Sequence, residues 1–542
     1  MASFNIRIRT GCLVALALLI AMPLSADEFE DFAKSEMGSF AQYRDERDAE
    51  FVNFLKAQWA EFDASRGVVR DSIPKPSAIP VAKPPAPLTE GEEEGVQTPP
   101  EPATPVGEIV LPALPPSLPP EPVAVPGEDG EEGVTPAPAE PPVVVVPVPE
   151  PDVLEVPEEP SPFDEPSGVE PEMIPVGLSV SFFGANHLFR GKFSFPEAPL
   201  TPPLKPAIAA YWEAMSQSSQ FETFLSQAQD MSGDLGLNDW GYHNFLFTCG
   251  LAVHGNDRDL ANLFTWFMSV KSGYDARVGY SDDRVYLLLP SRNTLYSVSY
   301  LTLQGTRYYA VTFDGSREKL GKLYTYKGKY PKADRLMDYR LLKVPALKPE
   351  ITEKELRFEY GGEPQSVKVS YNKSLVDYYR YYPQTNIKIY FDALTSDELN
   401  YSMVRELKEK LEGKSEKEAV DYLLGFSQKA FAYKTDDDQL GHEKYMLPEE
   451  TIWYPYSDCE DRSFLFAYLV RRILKLDVVG LNYPGHVATA VRFNDNVPGD
   501  YVVMNNRKYI VCDPTYINAS AGMAMPKYKR RNPDVVKIRN WQ

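Results

Sequence analysis

Three side chains near the C-terminal end of this 542-residue chain are suited to covalent chemistry: Cys459, His486 and Asp513. A thiol can attack a carbonyl, an imidazole can take and return its proton, and a carboxylate can hold that imidazole in one tautomer. Each alone has a plainer reading. A cysteine is usually a packing residue, a turn histidine is usually solvated, and Asp-Pro commonly opens a turn. In this order, each at the edge of a regular element, the three point to thiol-based acyl transfer.

The flanking sequence supplies those elements. Ser463 to Leu476 carries Leu465, Tyr468, Leu469, Ile473 and Leu476 at three- and four-residue spacing, which predicts an amphipathic helix. Asp458 is a natural N-cap, so Cys459 falls in the first turn, where orphan N–H groups and the helix dipole favour a thiolate. The expectation is a lowered thiol pKa, with Glu460 and Asp461 working weakly against it. Pro484-Gly485 predicts a turn, and His486 then begins a strand through Val487 to Val491. A second strand, Lys508 to Cys512, ends at Asp513, and Pro514 stops it. The oxyanion of an attacked amide would meet the Cys459 N–H and a donor from the preceding loop, with Trp453 and Tyr456 as candidates.

From about Ser396 onward the chain resembles the transglutaminase-like branch of the papain-type cysteine-peptidase superfamily. The matching motifs are Asp458-Cys459-Glu460-Asp461 at a helix start, Gly485-His486-Val487 opening a strand, and Cys512-Asp513-Pro514-Thr515 after the next. The resemblance implies Cys459 as nucleophile, His486 as base and Asp513 as its orienting partner. It also implies an α+β core in which the cysteine helix packs on an antiparallel sheet bearing the other two residues. It covers about the last quarter of the chain. Ser457 departs from it, since the family often has glycine two residues before the cysteine.

The first residues read as a secretory signal peptide: Arg7 and Arg9, an apolar run from Leu13 to Ala21, then Leu24-Ser25-Ala26. Cleavage after Ala26 leaves an exported protein, periplasmic or secreted, without a transmembrane segment. Three cysteines then remain, Cys249, Cys459 and Cys512. An odd count leaves a free thiol in an oxidising compartment. Cys512 and Asp513 face opposite ways along a strand, which argues against a Cys459–Cys512 disulfide and leaves Cys459 as the free thiol.

The net charge of −21 is unevenly spread. Residues 27–173 hold 33 acidic against 8 basic side chains, whereas residues 174–542 hold 44 against 46. No basic stripe of the nucleic-acid type appears, and Lys527 to Arg539 reads as a solvated cationic tail. The five histidines lack ligand spacing, so no metal or organic cofactor is implied.

Residues 27–70 predict one long amphipathic helix, because Phe29, Phe40, Phe51 and Phe62 recur every 11 residues. Its apolar stripe would self-associate or dock on a partner or on the enzyme core, with self-packing the first expectation. Residues 71–173 hold 29 of the 49 prolines and read as a disordered, Pro- and Glu-rich linker.

Residues 174–345 predict a mixed α/β domain, including a helix from Asp257 to Lys271. A faint internal echo suggests a degenerate copy of the transglutaminase-like fold, with Arg284 at the His486 position and Phe313 at the Asp513 position. Residues 346–395 read as a small β-module, because Leu356-Phe358-Tyr360, Val367-Val369-Tyr371 and Ile387-Ile389-Phe391 alternate like strands, and residues 396–542 are expected to form the catalytic domain. There a helix capped by Ser396 is followed by a capping box at Ser415 and an acidic loop, Asp436 to Asp438, expected to be solvated.

The function expected is an exported cysteine peptidase or amidase acting on a peptide or protein through a Cys459 thioester. Water as acceptor gives a hydrolase, an amine gives cross-linking, and water is the more abundant. The competing expectation is an inert envelope scaffold or peptide-binding module.

Overall fold

The computed structural model describes residues 44–70, 75–82, 105–108, 177–196, 200–218, 220–316 and 320–539. The expected signal peptide, residues 27–43 and most of the Pro-rich stretch lie outside them. All the described residues belong to one compact unit.

Residues 44–57 are helical, but the expected long helix stops there, and Trp59–Asp63 forms strand β1. β1 pairs antiparallel with a strand about 260 positions later, so an available sheet edge overrides the local helical rhythm. The apolar face of the helix is not left for another molecule. Phe51, Val52 and Leu55 are buried within this chain, and Phe51 meets Trp212 edge-on at 4.7 Å. Asp48 locks the helix further by taking the buried Lys271 ammonium at 2.5 Å.

The stretch expected to be a free linker is partly captured too. Residues 75–82 lie against the C-terminal part, where Ala82 is buried and its N–H donates to the Ile517 carbonyl at 2.8 Å. Pro105–Glu108 forms strand β2 on the edge of the C-terminal sheet.

A hairpin, β3 (Gly177–Phe182) and β4 (Ala185–Arg190), precedes helices Leu204–Gln217, Gln220–Asp234, Asp239–Val253 and Arg258–Lys271. Then come β5 (Arg277–Ser281), β6 (Arg284–Ser291), β7 (Tyr300–Leu303), β8 (Thr306–Ala310) and β9 (Lys322–Tyr326). They form a six-stranded sheet in the order β1-β9-β5-β6-β8-β7.

The small module is one long hairpin, β10 (Ile351–Tyr360) with β11 (Glu363–Asn372), followed by two short helices. One of these, Ile387–Phe391, replaces an expected strand. Asn386 caps it, and Ile389, Tyr390 and Phe391 are all buried, so burial on several sides had imitated strand alternation.

The last part opens with helices Asp397–Leu411, capped by Ser396, and Glu416–Lys429, whose Ser415–Glu418 capping box is present. Two short parallel strands, β12 (Ala432–Tyr433) and β13 (Tyr456–Ser457), bracket the approach to the helix Cys459–Leu469. β14 (Asp477–Tyr483), β15 (His486–Arg492), β16 (Tyr501–Met504), β17 (Arg507–Cys512) and β18 (Asp534–Lys537) complete the chain. Their order is β18-β14-β15-β17-β16, with β2 added at the end. Strand for strand this matches β9-β5-β6-β8-β7 of the first sheet. The architecture is α+β throughout.

Candidate active site

The helix that begins at Cys459 is held by a buried arginine. Arg462 Nε donates to Ser457 Oγ at 3.1 Å, and its guanidinium also donates to the Gln428 and Phe431 carbonyls at 3.1 and 2.7 Å. Asp461 accepts from the Asp458 and Met446 N–H groups, fixing the loop that enters the helix. Asp458 stands at the N-cap, but its Oδ2 is taken by the Lys75 ammonium at 2.5 Å. Cys459 is the first helical residue and is only 1% exposed.

One turn further along, Ser463 Oγ donates to the Val487 carbonyl at 3.0 Å. Residues four apart share a helix face, and side chains lean toward the N-terminus. That bond ties the turn after Cys459 to the residue after His486, on the strand that His486 opens.

His486 follows a Pro-Gly turn in which Gly485 has φ of 70°, and it pairs across the hairpin with Tyr483. Its Nε2 lies 2.9 Å from Asp513 Oδ2. Asp513 Oδ1 accepts the Thr515 N–H at 2.9 Å, which aims the carboxylate, and Gln428 Nε2 donates to the Asp513 main-chain carbonyl, which anchors the backbone. With Nε2 on the aspartate, Nδ1 is the nitrogen left to exchange a proton with a thiol.

The imidazole also has an aromatic neighbour that sequence reasoning missed. Tyr528 stacks on His486 with ring centroids 4.8 Å apart and planes at 19°. Tyr528 belongs to the stretch expected to be a solvated tail. That stretch instead supplies β18 on the C-terminal sheet and a buried Ile538. Its signal was visible as Tyr528, Val535, Val536 and Ile538 among the cations.

The thiol itself departs from expectation. Burial pushes the Cys459 pKa well up, and Glu460 and Asp458 add to the rise. The Sγ–H donates to Glu460 Oε2 at 2.9 Å, and among the described residues it makes no hydrogen bond to His486. A helix N-terminus is worth typically 0.3–1 kcal/mol to a negative charge, too little to offset desolvation with two flanking carboxylates. Cys459 therefore rests as a thiol rather than a thiolate.

Those carboxylates belong to a buried acidic pocket. Lys75 Nζ lies 2.5 Å from Asp458 Oδ2, 2.5 Å from Glu460 Oε1, 2.8 Å from Glu443 and 3.3 Å from Asp436. Arg70 bonds Glu460 at 2.6 Å and Glu443 at 2.7 Å, and its guanidinium lies 3.4 Å from the Tyr445 ring centre. Burial would raise Glu460, but Lys75 and Arg70 overcome it and hold the carboxylate below the usual range. Burial raises Asp436 to about 7, so this residue of the segment expected to be solvated joins the site's wall, while Asp437 and Asp438 are exposed. The acids lie close enough together to share one cation, and the cation among them is the Lys75 ammonium.

The two oxyanion candidates sit differently. Trp453 ends a short helix with its ring facing the Lys373 and Arg380 cations, and Tyr456 is exposed under Lys434. No hydrogen bond among the described residues draws either toward the thiol. Cys249 and Cys512 are also buried, free thiols.

The comparisons with known proteins return nothing. The chain matches no family model, no curated protein and no solved structure. What can be said of its chemistry rests on its own residues.

Proposed function

We propose that this chain is a thiol-dependent acyl-transfer enzyme of transglutaminase-like, papain-type character, acting on amide bonds of peptides or proteins. The observation that carries the reading is the buried His486–Asp513 pair at 2.9 Å, held by Thr515 and Gln428 and packed beside a helix that begins with a cysteine. A carboxylate on Nε2 stabilises the imidazolium that forms when Nδ1 takes the thiol proton. Because the resting thiol is protonated, His486 acts as a general base during attack rather than as half of a standing ion pair. Sγ then bonds the carbonyl carbon, the amine leaves with the proton from His486, and water or an amine resolves the thioester.

The matching strand order supports a further part of the reading: the first sheet is a copy without the catalytic groups. Arg258 is the first helical residue where Cys459 stands in the other, and Arg284 opens the hairpin strand where His486 does. Thr489, three residues past His486, pairs with Cys512. The corresponding Leu287 carbonyl accepts from Val311 N–H, which sets Thr312, rather than Phe313, at the Asp513 position.

Export through the N-terminal signal sequence belongs to the same proposal. Among the described residues no helix is long and apolar enough to cross a membrane. One observation favours the inert-scaffold reading instead: Cys459 is buried and its hydrogen bond goes to Glu460.

The two readings separate on a peptide library incubated with the full chain and with Cys459→Ala, with and without an added fluorescent primary amine. New peptide termini made only by the wild type support hydrolysis, and amine incorporation supports transfer. Identical peptide patterns from both proteins would favour the scaffold.

A further inference from the structure

Arg70 and Lys75 reach Cys459's neighbours from about 380 positions earlier in the chain, and both side chains are almost wholly enclosed: Arg70 is 7% and Lys75 is 3% exposed. Around them stand five carboxylates, Asp436, Glu443, Asp458, Glu460 and Asp461, with Tyr433 and Arg462 beside them. Asp458 and Glu460 directly flank Cys459 in sequence, and both bond Lys75. Asp458 Oδ1 is buried and, among the described residues, has no hydrogen-bond partner. Tyr433 Oη donates to the Pro76 carbonyl at 2.7 Å, which holds the backbone beside Lys75.

We propose that this N-terminal segment is a working part of the thiol site, its two cations offsetting the acids around Cys459 so that the site is competent only while the segment is docked. This rests on the acyl-transfer reading. Arg70 and Lys75 are positioning residues: they touch Glu460 and Asp458, not the reacting atoms.

Two opposite roles are open to a segment so placed, a plug over the thiol or a charge support for it, and electrostatics chooses between them. Withdrawing Lys75 would leave Glu460 and Asp458 beside the sulfur without their shared counter-ion. Like charges at such range in a dry site disfavour a thiolate strongly. In the same sense, Lys75 is among the groups that draw the Cys459 pKa down against burial. Undocking would therefore switch the nucleophile off.

The test is site-resolved alkylation of Cys459 by iodoacetamide against pH in the full chain, comparing wild type, Lys75→Met, Lys75→Arg and Arg70→Gln. The proposal expects Lys75→Met to slow alkylation about tenfold at pH 7 and move its rise to higher pH, a shift of about one unit. Lys75→Arg should restore most of the rate, and Arg70→Gln should shift it less in the same direction. That last variant carries the test should Lys75→Met fail to fold. Faster alkylation in Lys75→Met would mean a plug and overturn the proposal, as would equal profiles, including no labelling in either protein. Repeating the series in His486→Ala keeps the two readings apart. The cation effect persists there if the segment supports the thiol, whereas dependence on His486 itself belongs to the catalytic reading.

Discussion

Cys459 shows how one residue's chemistry depends on groups far away in sequence. A cysteine in the first turn of a helix reads as activated, and its acidic neighbours Glu460 and Asp461 look like ordinary N-terminal residues. What local sequence could not show is that these acids are buried and that Arg70 and Lys75 complete the pocket. The Cys-His-Asp order was legible because each residue sits at an element edge, and the structure brings His486 and Asp513 into contact. Tyr528 was not legible, since its role depends on a C-terminal strand adding to the sheet.

A second buried acid gives a pH test at the same scale. Glu449 is enclosed, accepts the Ser396 N–H at 2.5 Å, and burial raises its pKa to about 7. Between about 4.5 and 7 the folded chain keeps a proton that the unfolded chain has lost, so stability falls as pH rises through that window. Glu449→Gln removes this loss. Thermal unfolding should show the variant more stable than wild type at pH 8, by up to about 3 kcal/mol, with no gain below pH 4.5.

Among the elements, periodicity was reliable where one face is buried and misleading elsewhere. The capping signals at Ser396 and Ser415 and the Pro-Gly hairpin before His486 mark real boundaries. The Asp239–Val253 helix escaped notice because Trp240, Phe245, Leu246 and Cys249 bury it on nearly all sides, which erases the amphipathic period. The N-terminal helix was visible, but its end was not, because β1 forms only by joining β9. Since Phe51 lies in the core against Trp212, Tyr326 and Tyr330, Phe51→Ala should cost about 3–5 kcal/mol in denaturant unfolding. Asp48→Asn, which strands the buried Lys271, should cost a similar amount, about 3–5 kcal/mol.

The whole molecule is organised differently from a catalytic domain on a tether. The N-terminal helix, β1, residues 75–82 and β2 all pack onto the two sheets, so the N-terminal region is built into the fold before the Pro-rich stretch continues. An apolar stripe meant for self-association would leave a folded monomer when disrupted. Leu55 is instead fully buried in this chain. Leu55→Asp should therefore lower the unfolding midpoint sharply, and sedimentation should show no conversion of an oligomer into a folded monomer.

On the proposed mechanism His486 deprotonates Cys459 for attack on a carbonyl. That step can be measured by acetylation with p-nitrophenyl acetate, followed as a p-nitrophenolate burst and located by peptide mass spectrometry. The expected result is a burst of about one equivalent per chain with the acetyl group on Cys459, lost in Cys459→Ala and in His486→Ala. Acetylation of Cys459 no faster than that of Cys249 and Cys512, or unchanged in His486→Ala, would contradict it.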